Sequence, residues 1–316
     1  MSGNEKPTSR IAIVGVGQVG AAAAYALILE SVAGELLLVD IKADWRDGQV
    51  RDLADVAYGI GSGTRVRAAT HREAGQCDIV VITAGSKWSI GETNVQHMHR
   101  NVSVMRSVMR DMTPFRSDAI VIVVSNPVDL LTSIAQELSG LPRFQVFGSG
   151  TFLDSVRLRG LVADKAGVSA DAIHLSVVGL HGDSQVVTWS TATVNGVPLD
   201  RFVAPVVSGV ELMHADLEDE CKFRSEHIIR AKGGTPFGIG SVVASLCSTV
   251  LRDKGDVRPV SYYQPDYGCC FSLPVVLGRK GIMRTIAMPL DEREKATVSR
   301  SAQRLKETIE RLHKSQ

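Results

Sequence analysis

The chain predicts an α/β fold, with a doubly wound parallel sheet over its first half followed by an α+β unit. Three observations carry this. Short, continuously apolar runs at 11–14 (IAIV), 36–39 (LLLV), 79–82 (IVVI) and 120–124 (IVIVV) read as strands buried on both faces. Longer helical patterns around 18–30, 46–57, 95–110 and 128–138 separate them, as helices wrapping a parallel sheet must. The alternation then stops near Phe147–Gly150, where Gly and Ser take over, which divides the chain into 1–148 and 149–316.

In the second half, VVTWSTATVNGVPL carries Asn195-Gly196 between two extended runs, a strong hairpin signal. Further strands are expected near 257–263, 270–276 and 281–286, and SRSAQRLKETIERLHKSQ reads as a closing amphipathic helix. A length of 316 residues with 44% hydrophobic residues suffices for a large core or two of ordinary size. The formal net charge of +1 gives no electrostatic footprint for nucleic acid or an anionic membrane, so a small partner is expected. The polar MSGNEKPTSR start has no signal-peptide pattern, and AAAAYALIL is about half of the ~20 residues a bilayer span needs. Five Cys without metal-ligand spacing fit buried, reduced thiols in a cytoplasmic protein, and no metal is expected.

Residues 15–20 read GVGQVG, directly after the first strand and directly before an Ala-rich helix. Gly15 permits the tight turn, Gly17 lets backbone approach a pyrophosphate, and Gly20 lets helix pack on strand, with Gln18 and Val19 completing the turn. The helix N-terminus offers free N–H groups to phosphate. Asp40 closes LLLVD twenty residues after Gly20, where a carboxylate accepts from both ribose hydroxyls and repels a 2′-phosphate. NAD rather than NADP follows as the expected cofactor.

His181 ends the apolar run in VVGLHGDSQVV, and a histidine there can be a mere surface residue. TFLDSVRLR changes its weight, because Asp154 and Arg157 lie three apart on one helical face. A carboxylate accepting from the imidazole fixes its tautomer, raises its pKa and stabilises the imidazolium. An Arg one turn away can grip a substrate carboxylate bidentately. These three residues can move a proton beside a held anion.

GVGQVG, LLLVD, ITAG, VSNPVD, GSGTFLDSVRLR, HGDS, KGGT and SLPVVLGRKGI together resemble, in order, the L-lactate/malate dehydrogenase family over nearly the whole chain. The resemblance implies a Rossmann-type NAD-binding domain over 1–148 and a catalytic, substrate-binding domain over 149–316. It implies hydride transfer between nicotinamide and a 2-oxo/2-hydroxy acid pair, a small carboxylate substrate, and a homodimer or homotetramer. Carried over residue by residue, His181 resembles the acid/base, Asp154 its orienting partner and Arg157 the carboxylate anchor. Asn126 in VSNPVD resembles the residue near the nicotinamide ribose and the reacting oxygen. The resemblance also implies that Thr83, Ala84 and Gly85 would line the cofactor and that Thr235 and Ile239 would border substrate and nicotinamide.

Two positions depart from the family. Its substrate loop ends in an Arg that polarises the reacting carbonyl, as in GESR or GMTR, whereas here the ending is GETN and Asn94 takes that position. Loss of such a donor costs on the order of 10²–10³ in rate; His97, followed by His99 and Arg100, is the nearest replacement. Trp88 stands where lactate enzymes carry Gln and malate enzymes Arg, so a second carboxylate has no cation and the broad ring favours an atypical or bulky 2-oxo acid. The alternatives are a reductase of another carboxylate-bearing electrophile such as an imine, and a non-catalytic NAD-binding protein.

Overall fold

The computed structural model describes residues 9–86, 91–203 and 210–314. Its first half alternates strand and helix: β1 Arg10–Val14, α1 Gln18–Leu29, β2 Glu35–Val39, α2 Ala43–Gly59, β3 Arg65–Ala68, α3 His71–Ala74, β4 Ile79–Ile82, α4 Asn94–Met112, β5 Ile120–Val123, α5 Val128–Ser139 and β6 Val146–Gly148. The second half runs α6 Phe152–Ala166, the short strands β7 Ile173–His174, β8 Val177–Val178, β9 Val186–Val187, β10 Thr193–Val194 and β11 Val197–Pro198, then α7 Leu199–Val203, α8 Val210–Lys232, α9 Pro236–Leu251, β12 Asp256–Gln264, β13 Cys269–Gly278, β14 Gly281–Thr285 and α10 Glu292–Lys314.

The main sheet has the order β14-β13-β12-β6-β5-β4-β1-β2-β3. From β3 to β6 every pairing is parallel, and the chain reverses its winding direction between β1 and β4. In such sheets the crevice beyond the strand C-termini at that switch point is where ligands bind. Gly15 leaves β1 and Thr83 leaves β4 at this point. The four apolar runs become strands because both faces need cover, and every residue of β4 and β5 is buried.

One face is covered by α1, α2 and α9, where Ala23, Ala24 and Leu27 of α1 meet Val243, Leu246 and Cys247 of α9. The other is covered by α4, α5 and α10, the last through Val298, Ala302, Leu305, Ile309 and Leu312, a stripe of alternating four- and three-residue steps. A third cluster joins α6 to α8 through Leu158, Val162, Leu217 and Cys221. All five thiols are buried and unpaired.

Several boundaries differ from the sequence expectation. β3 was not expected because RVRA lacks an apolar run; as an edge strand it pairs only with β2, and its arginines suit an edge. α2 begins at Ala43 rather than 46, and α10 begins at Glu292, well before the expected 299, because charged first-turn residues mask the periodicity. The C-terminal strands do not form a separate sheet: β12 pairs antiparallel with β6 through Ser261 and Gly148, so one ladder crosses the 148/149 division. The Asn195-Gly196 hairpin forms as expected, with Val194 opposite Val197 and both turn residues at positive φ (47° and 85°), the type I′ requirement. Among the described residues no helix is long and apolar enough to cross a membrane.

Candidate functional site

The glycine-rich turn is built by close approach. Gly15, at φ 92°, lies so near β4's exit that a Cβ would stand 2.5 Å from the Ala84 backbone. A Cβ at Gly20 would stand 2.1 Å from the Gly15 carbonyl oxygen. At Gly17 it would meet nothing within 4 Å, so this residue's space lies open at the start of α1. That combination fits a pyrophosphate lying over Gly17 against the helix N-terminus. The turn is pinned on three sides: Gly15 N donates to Val39 O at 2.7 Å, the Thr83 hydroxyl to Gly15 O at 2.6 Å, and Val16 N to Asp40 Oδ2 at 3.0 Å. Asp40 Oδ1 accepts from Lys42 N, and each carboxylate oxygen keeps a lone pair for a ribose hydroxyl.

Two residues of this half were not anticipated. Trp45, in the first turn of α2, donates its indole N–H to Val16 O at 2.8 Å and keeps half its surface exposed beside the turn. Asn101 of α4, buried, accepts from Ser86 N and Oγ (both 2.8 Å) and donates to Asn126 O at 3.0 Å. It ties the Ala84–Gly85 turn to the exposed Asn126 at the end of β5, and Ser125 Oγ adds a bond to Ala84 O at 2.6 Å. Gln18 reaches the KGGT turn: a Cβ at Gly234 would meet its Oε1 at 2.7 Å. Thr235 is the N-cap of α9, partly exposed, while Val19 and Ile239 rest against the core on the α1/α9 face. The expected cofactor residues therefore gather around the sheet's switch point.

The three residues expected to handle the proton and the anion lie together, two of them on one face of α6 as their spacing implies. His181 Nδ1 lies 2.7 Å from Asp154 Oδ2, and the other oxygen of Asp154 lies 3.6 Å from Arg157 Nη1. Asp154 is almost fully buried, whereas the His181 side chain is 26% exposed, so its Nε2 is the edge left to work outward. Burial alone would lower the His181 pKa, but the charge and hydrogen bond of Asp154, with Asp129 behind them, raise it overall. Arg157 is 9% exposed and donates to Ser225 Oγ of α8 at 2.5 Å. Its guanidinium stays charged although burial pulls its pKa down. Ser225 could not be read from a charge-rich helix. Asp129 was visible in VSNPVD but unassigned; its Oδ2 accepts from the His181 backbone N–H at 2.8 Å.

The substrate-loop positions are less gathered. Trp88 lies outside the described residues. Thr93 caps α4 in a capping box with Gln96, which makes Asn94 the first helical residue, exposed and, among the described residues, without a side-chain hydrogen bond. His97 turns back onto the turn that follows β4, Nε2 3.0 Å from Ser86 O and 3.4 Å from Asn101 Nδ2. Arg100 pairs with Glu92 at 2.6 Å.

Residues 9–148 match the family model described as lactate/malate dehydrogenase, NAD binding domain, and 151–316 match its alpha/beta C-terminal domain. L-lactate dehydrogenase A of Rhizopus oryzae is 43% identical over 298 residues, covering 94% of this chain and 91% of that protein. L-lactate dehydrogenase of Synechococcus sp. (strain JA-3-3Ab) is 38% identical over 95% of this chain and 98% of that protein. Among solved structures, the minor L-lactate dehydrogenase from Enterococcus mundtii superposes with a TM-score of 0.91 at 32% identity, over 96% of this chain and 98% of that one. A lactate dehydrogenase from a Medee basin deep-sea metagenome library gives 0.90 at 28%, again over 96% and 98%.

A dinucleotide turn at the switch point of a parallel sheet, joined through Asn126 and Asp129 to a carboxylate-held imidazole, defines the class: an NAD-dependent oxidoreductase of 2-hydroxy acids. The chain belongs to the lactate/malate dehydrogenase family.

Proposed function

We propose that His181, Asp154 and Arg157 carry the interconversion of a 2-oxo monocarboxylate and its 2-hydroxy acid, with pyruvate and lactate the first candidates. The carrying observation is that one buried carboxylate touches both partners, the imidazole at 2.7 Å and the guanidinium at 3.6 Å, so proton donor and anion anchor share one reference point. Relatives named as L-lactate dehydrogenases, at 38–43% identity, support lactate. A bulkier or atypical acid is the second reading. Trp88 and Asn94 favour it, and nothing else does.

The nicotinamide supplies or accepts the hydride when bound. Arg157 holds the substrate carboxylate bidentately. The protonated Nε2 of His181 gives its proton to the substrate oxygen during reduction and takes it back during oxidation, while Asp154 holds Nδ1–H and offsets the charge. Asn94 offers that oxygen at most a neutral donor, so His181 carries more of the polarisation. Because the His181 pKa is raised, oxo-acid reduction is full below it and declines as pH rises through it, and oxidation shows the opposite limb. A cytoplasmic homodimer or homotetramer completes this reading.

The test is NADH oxidation against a panel of 2-oxo acids, from pyruvate and oxaloacetate to branched and aromatic members, with Asn94→Arg alongside. Turnover of pyruvate by the native chain, accelerated about 10²-fold or more by the Arg, supports the first reading. Preference for a bulky acid supports the second. Tight NADH binding with no turnover by either protein refutes both.

A further inference from the structure

The carboxylate that needs an explanation is Asp129. It sits in the first turn of α5, where an anion suits the helix N-terminus, yet it is only 5% exposed. Its Oδ2 accepts the backbone N–H of His181, 52 residues away in sequence, at 2.8 Å. Among the described residues its Oδ1 is buried with no hydrogen-bond partner of good geometry, and the buried Ser261 hydroxyl of β12, close enough to lower the carboxyl's pKa, likewise has none. Holding one N–H does not call for this arrangement, because a neutral amide oxygen accepts equally well without the cost of a half-satisfied buried charge. A negative charge at this place suits the α5 N-terminus, which a neutral cap would also serve in part, and it faces one cation besides, the imidazolium of His181.

We propose that Asp129 is a positioning residue for proton transfer, a second carboxylate that fixes the backbone of the His181 loop from α5 while its charge supports the protonated imidazole. The proposal rests on His181 being the acid/base. The groups that face His181 are Asp154 and Arg157 from α6 and Asp129 from α5. Those facing Asp129 are His181, Asp154 and the thiols of Cys269 and Cys270 on β13. With both carboxylates ionised and Arg157 and His181 charged, the four formal charges cancel before a substrate enters. Deprotonating His181 leaves a net negative site, which disfavours an incoming carboxylate. Burial pushes Asp129 up to about 6, opposed by Ser261 and by the N–H and charge of His181, so its charge is established in the range where His181 works. The same residue lies three positions after Asn126, which places the histidine loop and the expected nicotinamide-side residue on one helix start.

Asp129→Asn is the decisive variant, because the amide oxygen can keep the His181 N–H and the amide nitrogen can donate toward Ser261. Two quantities are read: the NMR titration of the His181 ring, assigned with His181→Gln, and the pH dependence of kcat/KM for pyruvate, or for whichever acid of the panel turns over. The expected result is a His181 midpoint moved to lower pH, and a loss of kcat/KM on the order of several-fold at pH 8 that shrinks toward pH 6. KM for NADH should not change. An unchanged midpoint with an unchanged alkaline limb overturns the proposal and leaves Asp129 a backbone cap. If His181→Gln keeps full turnover, it is the acid/base reading that fails, whatever Asp129 does. Should Asp129→Asn not fold, the wild-type His181 titration decides: an inflection near the carboxylate's own titration supports the coupling, and a single smooth step overturns it.

Discussion

Adding one methyl group at Gly20 and one at Gly17 should separate the two jobs of the glycine-rich turn. At Gly20 the new carbon would lie 2.1 Å from Gly15 O and 2.8 Å from Thr83 Oγ1. Ordinary C···O contacts begin at about 3.3 Å, so the carbonyl must retreat by roughly 1 Å. That carbonyl holds the Thr83 hydroxyl at 2.6 Å, and its peptide neighbours hold Val39 and Asp40, so it cannot move alone. Overpacking of about 1–3 kcal/mol and one strained hydrogen bond of about 1 kcal/mol give a destabilisation of about 2–4 kcal/mol. For a chain of this size that lowers Tm by on the order of 3–6 °C. At Gly17, with φ −70° and open space, alanine costs the folded chain almost nothing. Its methyl instead enters the open space proposed for the pyrophosphate, so Kd for NADH should rise about tenfold or more, or about 1.4 kcal/mol. Thermal melts without cofactor and NADH fluorescence titrations read the two effects separately. A Gly17→Ala protein that binds NADH like the wild type would refute the placement of the phosphates. A Gly20→Ala protein that melts like the wild type would refute the packing argument.

Two further predictions concern the other half of the site. Arg157→Leu should raise KM for the oxo acid by about 10²-fold while leaving Kd for NADH unchanged, because the guanidinium meets Asp154 and Ser225 and none of the cofactor residues; loss of NADH binding would mean the site is misassigned. Asp129 titrates at about 6 in the folded chain, above its ordinary 3.8, so the stability it contributes is present below 3.8 and lost as pH rises through 6. Relieving about two units at 1.36 kcal/mol each, Asp129→Asn should gain up to about 3 kcal/mol at pH 8 and little at pH 4. Urea unfolding at both values checks this, and equal gains at both pH values would contradict it.

The sequence made the parallel half of the sheet legible because doubly buried strands must be apolar throughout, and β1, β2, β4 and β5 fall on the four expected runs. β3 escaped notice because an edge strand of the sequence RVRA carries no such run. The two-residue strands β7, β8 and β9 are too short for any periodicity. His181, Asp154 and Arg157 were readable since helical spacing puts two of them on one face and a strand end exposes the third. Asp129, Asn101 and Ser225 were not, because each acts through partners at least 15 residues away, and pairings of that range leave no local mark in one sequence. Trp45 was hidden by lying in a polar helix start, where an indole has no periodic neighbour to announce it.

The bond between β6 and β12 has a consequence for how such a chain can be recombined. Sequence divides the molecule at 148/149, an obvious place to splice one relative's cofactor half onto another's substrate half. The hydrogen-bonded ladder ignores that seam: Gly148 has no room for a side chain against Thr132 and Val128, and Ser261 must arrive opposite it from more than a hundred residues downstream. A graft cut there therefore inherits a foreign strand edge in the middle of its own sheet. The exchangeable module is the ladder together with both of its flanking segments, and a crossover that respects it belongs within a solvent-facing connection on one side of the sheet.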